Sequence, residues 1–558
     1  MESLEKYFDV AFAAPEGIKK LRELILTLAM QGKPVPQDPN DQPASELLKQ
    51  IKAERRRLVK EKKIKEPKPL LDINPEEVPY ALPESWEWVR LGSIGITQTG
   101  TTPRSGDNSS YGNDYPFIKP ADITYSTVNY ENEGLSETGL KKYGRVACAG
   151  SSLMVCIGTI GKTNLIEKEC SFNQQINSVT PYNPIDSYYL QLFLRSPYFQ
   201  KEAWNRSSST TIAILNKGRW ESIPVALPHL SEQRRIVAKI DQLMTHCDEL
   251  EKLRAEREKK RLTVHITALN SLLEAQDADS FASAWNFINR HFGELYSVKE
   301  NVTELRKAIL QFAVMGKLVP QDPTDQPASE LLKEIEAEKQ RLVKEKKIKE
   351  PKPLPEIKPE DVPCELPESW EWVRLGEIVS LLGDGIHGTP DYDDSGEFFF
   401  INGNNLSDGI IEIKGNTKRV SLQEYRKHKK DLNERTVLVS INGTIGNVGF
   451  YDREKVILGK SACYFNLLEK IDKYYIKRVI NSIYFLKYTL IFATGSTIKN
   501  VSLKSMRDFP VPLPPLAEQH RIVAKIDQLM VLCDQLEQQI DGTVCKQSAL
   551  LNAVMAHT

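Results

Sequence analysis

The chain carries a long internal duplication, and the copies agree only at their edges. Residues 22–92 align without a gap on 306–376, identical at 53 of 71 positions, including the strings LVKEKKIKEPKPL and LPESWEWVRLG. Residues 223–251 match 509–537 at 21 of 29 positions and share RIVAKIDQLM. The stretches enclosed by these repeats, 93–222 and 377–508, share little beyond the tetrapeptide GTIG. A period of about 285 residues is far above that of solenoids and propellers, so a domain-sized unit was duplicated. The result is one frame, used twice, around two different inserts. Such a frame predicts a pseudo-two-fold arrangement, with one insert fold applied to two different targets.

The segments follow from these boundaries: an N-terminal helical frame and proline-rich strap over 1–92, a first insert over 93–222, a central frame over 223–376, a second insert over 377–508 and a C-terminal helix over 509–558. At 558 residues there is enough chain for several independent cores. The start MESLEKYFDV lacks the basic and apolar regions of a signal peptide, and no apolar run is long enough to span a bilayer, which predicts a cytoplasmic protein without a membrane partner. The eight cysteines form no CxxC pair and no Cys/His cluster; we expect reduced thiols and no metal. Net charge is -1 overall, while the first insert has 12 Lys+Arg against 11 Asp+Glu and the second 19 against 16. A surface for a polyanion is therefore local to the inserts or depends on a partner.

Within the frame, Ile18, Leu21, Ile25 and Leu28 predict a helix over 16–31 that stops at Gly32, with Val302, Leu305, Ile309 and Phe312 as the equivalents before Gly316. A second helix starts near Ala44 and ends in the charged tract AERRRLVKEKKIK. That tract reads as a nucleic-acid arm or as a solvated helix face, and the interleaved Glu54 and Glu61 favour the second. Prolines 67, 69, 75, 79 and 83, repeated at 351, 353, 359, 363 and 367, forbid helix and predict a stiff extended strap. Trp86, Trp88, Trp370 and Trp372 stand where each strap ends and read as strand residues packing the first edge of the insert.

The last frame element carries the a/d rhythm of a coiled coil. Ile522, Ile526, Leu529, Cys533, Leu536 and Ile540 form the C-terminal seam; Ile236, Ile240, Leu243, Cys247 and Leu250 form the central one, until Arg254 stands in the place of Ile540. Each seam is too short to be stable alone, which predicts that the two helices pair with each other, antiparallel, and bury both seams.

The inserts read as compact α+β domains. SLMVCIG, TVLVSING and VILGKSACYFNLL are short, β-branched strand candidates, and SYYLQLFLRSPYFQKEAW and KYYIKRVINSIYFLKYTL are helical candidates. Long polar loops, GTTPRSGDNSSYGNDYP and GDGIHGTPDYDDSGE, lie between strands. Catalytic motifs are absent. CIGTIGKT nearly spells a phosphate loop, but Cys156 replaces its first glycine and the second copy, GTIGNV, lacks the lysine, so the tetrapeptide reads as a tight turn after a buried strand. No GxGxxG or HExxH occurs, and PDYDDSGEF has no ExK to complete a nuclease site. His387 stands in a polar loop and reads as a contact or structural residue.

What remains is binding. Arg104, Lys119, Lys141, Lys142 and Arg145 in the first insert, and Asn402, Asn404, Asn405, Lys418, Arg419, Arg426, Lys427, Lys429 and Lys430 in the second, are suited to phosphates and base edges. Carried on two inserts of one frame, they point to bipartite DNA reading.

The frame strings GKPVPQDPNDQPASELL, LPESWEWVRLG and SEQRRIVAKIDQLM, with their second copies, resemble the repeated regions of the DNA specificity subunits of type I restriction-modification systems, in the branch with an extended N-terminal region. The resemblance covers essentially the whole chain. It implies that the inserts are target recognition domains, each reading half of a split DNA sequence, joined by long antiparallel coiled-coil helices in an α+β, pseudo-two-fold fold. It implies partners: double-stranded DNA, two modification (methyltransferase) subunits and two restriction (translocase/nuclease) subunits. It implies no cofactor in this chain, with S-adenosylmethionine, ATP and Mg handled by those partners. Loops around Gly100–Pro103 and Gly388–Pro390, and the stretches SSSTTIAILNKGR and GSTIKNVSLKSMR, match recurrent family positions, which adds Thr101, Thr102, Thr210, Thr211, Lys217, Thr389, Thr497, Lys499 and Lys504 to the candidate DNA contacts. Two function classes follow: a non-catalytic DNA specificity subunit, or a protein-interaction scaffold whose inserts bind peptides.

Overall fold

The computed structural model describes residues 8–104, 106–208, 212–494 and 499–556. It divides into two compact units, Met1–Arg257 with Val544–Thr558, and Glu258–Thr543. The main frame helices are α1 Gly17–Met30, α2 Ala44–Lys60, α3 Leu230–Glu274, α4 Lys299–Val314, α5 Ala328–Lys344 and α6 Leu516–Ala556, with Ala278–Arg290 and Phe292–Leu295 between α3 and α4. Helix α3 starts in the first unit and ends in the second, and α6 does the reverse.

Helix α1 follows its apolar spacing but buries a wider face than Ile25 alone, with Leu24, Leu26, Ala29 and Met30 also inside. Gly32 ends it at φ +73°, and Pro83 and the Trp86 ring close over the glycine, so a Cβ there would meet the proline at 2.8 Å. Gly316 repeats this at φ +68°, with Pro367 at 2.5 Å. Both glycines are thus needed for backbone conformation and for the close approach of the strap. Helix α2 buries Ala44, Leu47 and Ile51, and its charged end carries the Arg57–Glu54 pair at 2.8 Å. The tract is a solvated helix face rather than an extended arm.

The strap is irregular apart from single turns at Pro75–Glu77 and Pro359–Asp361. It ends in the strand Glu87–Arg90, which pairs antiparallel with Pro224–Leu227, the strand by which the chain leaves the insert. Glu371–Arg374 pairs with Pro510–Leu513 in the same register. Arg90, 7% exposed, ties this ribbon to the strap. Its guanidinium donates to the carbonyls of Leu71 at 3.0 Å, Asp72 at 2.8 Å and Ser222 at 2.6 Å and to the Glu77 carboxylate at 2.5 Å. Arg374 does the same with the carbonyls of Pro355, Glu356 and Asp508 and with Asp361.

Between the ribbon strands each insert folds into two main sheets, and the second insert adds a two-stranded one, Leu406–Ser407 with Ile410–Ile411. In the first domain the order is Gly95–Thr99, Ile176–Pro181, Ser152–Val155, Thr163–Leu165, all antiparallel, with Gly134–Leu135, Tyr111–Ile118, Cys170–Phe172 and Val146–Ala147 as the second sheet. In the second domain Val379–Asp384, Ala462–Leu467, Thr436–Ser440 and Val448–Phe450 repeat the first order, and Arg419–Val420, Phe398–Ile401 and Val456–Leu458 form the other sheet. Each apolar stretch expected to be helical is two helices, Ser187–Arg195 with Pro197–Asn205, and Lys473–Ile480 with Ile483–Phe492. The break falls at Ser196 and at Ser482, whose hydroxyls cap the amides of Phe199 and Phe485. The Tyr189 hydroxyl donates to the Ala226 carbonyl and that of Tyr475 to Pro512, both at 2.7 Å, fastening the helices to the outgoing ribbon strand.

The seams of α3 and α6 are buried at Ile236, Ile240, Cys247, Ile522, Ile526, Cys533 and Ile540 and half-buried at Leu243, Leu529 and Leu536. The α6 seam shares its core with Ala268, Leu269 and Leu272 of α3, in line with the expected pairing of the two long helices, and each seam also packs on a helix of its own frame. The α3 seam shares a core with Ile25, Leu26, Ala29 and Met30 of α1, and the α6 seam with Val302, Ile309, Leu310 and Ala313 of α4. Arg22 clamps the first pair to Asp248 at 2.6 Å and Glu251 at 3.1 Å; Arg306 clamps the second to Asp534 at 2.6 Å. Leu250 is a correction: it is 47% exposed. Contact with the neighbour passes instead to Arg254, whose guanidinium donates to the carbonyls of Ala13 and Ala14 at 2.7 and 2.9 Å.

Packing also extends the duplication beyond the matching strings. Phe8 and Phe12 rings lie 4.6 Å apart, as do Phe292 and Tyr296. Leu551 and Val554 of α6 cover Ala11 and Phe12, while Ala268 and Leu269 of α3 lie in one core with Leu295 and Tyr296. Where Leu551 is apolar, α3 has His265, fully buried and 2.9 Å from the Tyr296 hydroxyl. All eight cysteines are unpaired, and among the described residues no helix is long and apolar enough to cross a membrane.

Because Ile526 is fully enclosed and Leu250 is not, aspartate at the two positions should act very differently. Ile526→Asp buries a charge without a partner and costs about 3–5 kcal/mol, a fall of roughly 10 °C in the melting of the second unit. Leu250→Asp should stay within about 0.5 kcal/mol of wild type. Equal losses from both, in a calorimetric melt, would contradict the packing assigned to the two seams.

Candidate nucleic-acid interface

In each insert four loops are laced together by backbone hydrogen bonds. The first follows the opening strand and begins at Gly100 or Gly385. Next come the turn Gly158–Gly161 or Gly443–Gly446, the tip Asn173–Gln175 or Gly459–Ser461, and the segment leading to Leu215 or Val501. The bonds that join the loops recur in both inserts. The amide of Thr101 donates to Phe172 and that of Ile386 to Leu458; Asn173 donates to Ile118 and Gly459 to Ile401; Cys156 donates to Gln175 and Ile441 to Ser461. The turn joins the last segment in both domains, Gly158 to the Ala213 carbonyl at 2.9 Å and Gly443 to that of Lys499 at 3.1 Å.

Glycine is required at the crossing for a steric reason. A Cβ on Gly100 would lie 2.2 Å from the carbonyl oxygens of Phe172 and Asn173, and one on Gly385 would lie 2.0 Å from that of Leu458. The GTIG glycines take φ of +80° and +96° in one domain and +75° and +92° in the other, the tight turn expected of them. Lys162 does not face a phosphate cradle: its ammonium donates to the Pro120 carbonyl at 2.8 Å.

A short helix with a basic end flanks the lacework. Glu137–Tyr143, capped by Ser136, ends in Lys141 and Lys142; Leu422–His428, capped by Ser421, ends in Arg426, Lys427 and His428. These charges complement the carbonyl end of the helix dipole. The Thr101 hydroxyl donates to the Tyr143 carbonyl, and Lys142 lies 2.9 Å from Asp107, joining helix and loop. Lys142, with Ser109, holds the Asp107 carboxyl well below the usual carboxylate range. In the second domain Tyr425 stacks on Phe398 at 4.1 Å, and the Asp393 amide donates to the Arg419 carbonyl at 2.9 Å.

The fold therefore gathers Thr101, Thr102, Arg104, Lys141, Lys142 and Arg145 around one loop and helix, with Arg104, Lys141 and Arg145 exposed. His387, Thr389, Lys418, Arg419, Arg426, Lys427 and Lys429 are exposed in the second domain, where Arg419 lies over Phe399 at 5.2 Å, Lys418 over Tyr392 at 5.7 Å and the half-buried Lys430 over Tyr464 at 6.0 Å. His387 is 2.8 Å from Asp384. Lys499 and Lys504 are exposed beside the last loop. Other candidates are committed to the protein. Lys119 pairs with Glu133, and Lys217 with Glu221 at 2.5 Å. Asn405 is 6% exposed and donates to the Glu412 carbonyl at 2.9 Å, while its own side-chain oxygen accepts from the Asn402 amide. Asn402 in turn accepts from the Ser461 hydroxyl at 3.0 Å, so of this asparagine group only Asn404 is exposed. Thr210, Thr211 and Thr497 lie outside the described residues. Sequence reasoning passed over Gln174 and Lys460 at the loop tips, since FNQQI and LGKSA carry no signal until the crossing places them.

Residues 83–258 and 367–544 match the family described as the type I restriction modification DNA specificity domain. The chain is 35% identical to the type I restriction enzyme EcoAI specificity subunit of Escherichia coli, over 96% of this chain and 93% of that one. It is 31% identical to the EcoEI specificity subunit of the same organism, with the same coverage. A solved HsdS subunit from Thermoanaerobacter tengcongensis is similar at 18% identity with a TM-score of 0.37, covering 85% of this chain and 98% of that one. With a matching domain in each half of the duplicated frame, the chain belongs to the DNA specificity subunits of type I restriction-modification systems.

Proposed function

We propose that this subunit reads a bipartite, asymmetric DNA target, one half-site per recognition domain, and docks two modification and two restriction subunits through its frame. It performs no chemistry itself. S-adenosylmethionine, ATP and Mg are handled by those partners, and the complex works in the cytoplasm. The observation that carries the reading is the repeated loop lacework: two domains with little common sequence hold the same loops in the same hydrogen bonds, each beside a helix ending in basic residues. A shared scaffold with different side chains suits two targets of one chemical kind, with phosphate contacts setting position and side chains on base edges setting sequence. The relatives' names, specificity subunits of restriction enzymes, support the partner subunits.

Replacing 377–508 by a second copy of 93–222, with both frames intact, should convert the asymmetric target into the first half-site followed by its inverted repeat. Methylome sequencing reads this directly. A chimera that assembles yet still marks the original sequence would show that the inserts are not the readers.

Exposed Lys141 and Lys429 make no ion pair among the described residues and stand at the basic ends of the two short helices. Lys141→Ala and Lys429→Ala should each weaken binding evenly across sequences and reduce the slope of log K against log salt by about 1. In a peptide-binding scaffold neither change would alter a salt-dependent mobility shift of DNA.

A further inference from the structure

At the centre of the lacework each domain presents one side chain on a backbone that hydrogen bonds hold on either side of it. The amides of Asn173, Gln174, Gln175 and Ile176 are all used: they donate to the Ile118 carbonyl, the Thr102 hydroxyl, the Asn173 side chain and the Asn173 carbonyl. The Gln175 carbonyl accepts from Cys156, and Gly100 lies tight against the same turn. In the second domain the Gly459 amide donates to Ile401, Ala462 to the Gly459 carbonyl and Ile441 to the Ser461 carbonyl, with Gly385 in the place of Gly100. Gln174 and Lys460 therefore occupy the same place. Both are exposed, and neither side chain makes a hydrogen bond or ion pair to any described residue.

We propose that Gln174 and Lys460 are specificity-determining residues, Gln174 reading an adenine in the first half-site and Lys460 a guanine in the second. The inference rests on the reading of the inserts as DNA target recognition domains. The chemistry is that of the side-chain ends. The Gln174 amide offers one acceptor and two donors, which match N6 and N7 of adenine, whereas the Lys460 ammonium offers donors only, which match O6 and N7 of guanine. The geometry adds the rest. A tip whose backbone is tied to neighbouring loops on either side cannot change course to suit a new base, so the base it accepts is decided by the side chain it carries. Thr102, whose hydroxyl accepts from the Gln174 amide, and Arg104 two residues on bring phosphate-binding groups beside the tip.

The test uses the full complex with its modification subunits and reads the methylated motif. Gln174→Ala should relax one A·T position of the first half-site, lowering its preference over the other pairs roughly tenfold or more, and leave the second half-site unchanged as an internal control. Gln174→Lys should move that position to G·C, and Lys460→Gln should make the reciprocal change in the second half-site. An unchanged motif at wild-type affinity overturns the proposal. So does a uniform loss of affinity without change of motif, which would make the tip a backbone contact. The broader reading fails separately: it falls if exchanging whole inserts leaves the motif unchanged, whatever the tip variants do.

Discussion

Everything in each half depends on how the chain enters and leaves the insert. Arg90 and Arg374 are buried guanidiniums that bind, at once, the strap, the outgoing chain and a carboxylate. Few other side chains can make so many donations in fixed directions. Removing any part of that arrangement leaves a buried charge short of partners, a cost of about 3–5 kcal/mol. The guanidinium therefore enforces one geometry of strap, ribbon and insert, and the two-stranded ribbon beside it brings the ends of a long loop into hydrogen-bonding register.

Closing the loop at its base separates two roles. The frame can be kept nearly letter for letter because α1, the strap and the first turns of α3 pack against one another and the ribbon, and α4, α5 and α6 repeat the arrangement. The insert is then free to vary wherever its side chains face outward. What it keeps is steric: glycines at 100 and 385 where two backbones cross, and at 158, 161, 443 and 446 where φ is positive. Side chains at the tips and on the basic helices can change without disturbing the lacework that presents them.

Much of the frame was legible in the letters. Duplication, strap, helix starts and the a/d rhythm all follow from local pattern, and so do the buried strands, whose β-branched runs leave little choice. That α1 and α4 also cover the seams was not legible, because a row of apolar residues specifies that something covers it and not every helix that does. Leu250 continues the rhythm yet is exposed, since the covering chain has turned away and Arg254 holds it by its carbonyls. Asn402 and Asn405 read as base-facing amides and are instead spent on Ser461, on each other and on the Glu412 carbonyl.

By itself, then, the sequence determined that one frame is used twice, that two unlike α+β inserts hang from it, and that the family is that of DNA specificity subunits, because repeats, periodicity and shared strings are properties of the chain read in order. Only the tertiary structure decided which loops meet, which polar residues remain free to touch a target, and that Gln174 and Lys460 share a position. Those facts depend on hydrogen bonds between residues some seventy positions apart, such as Thr101 with Phe172 and Ile386 with Leu458. No local pattern marks such a pair, because the crossing is made of backbone atoms that every residue carries.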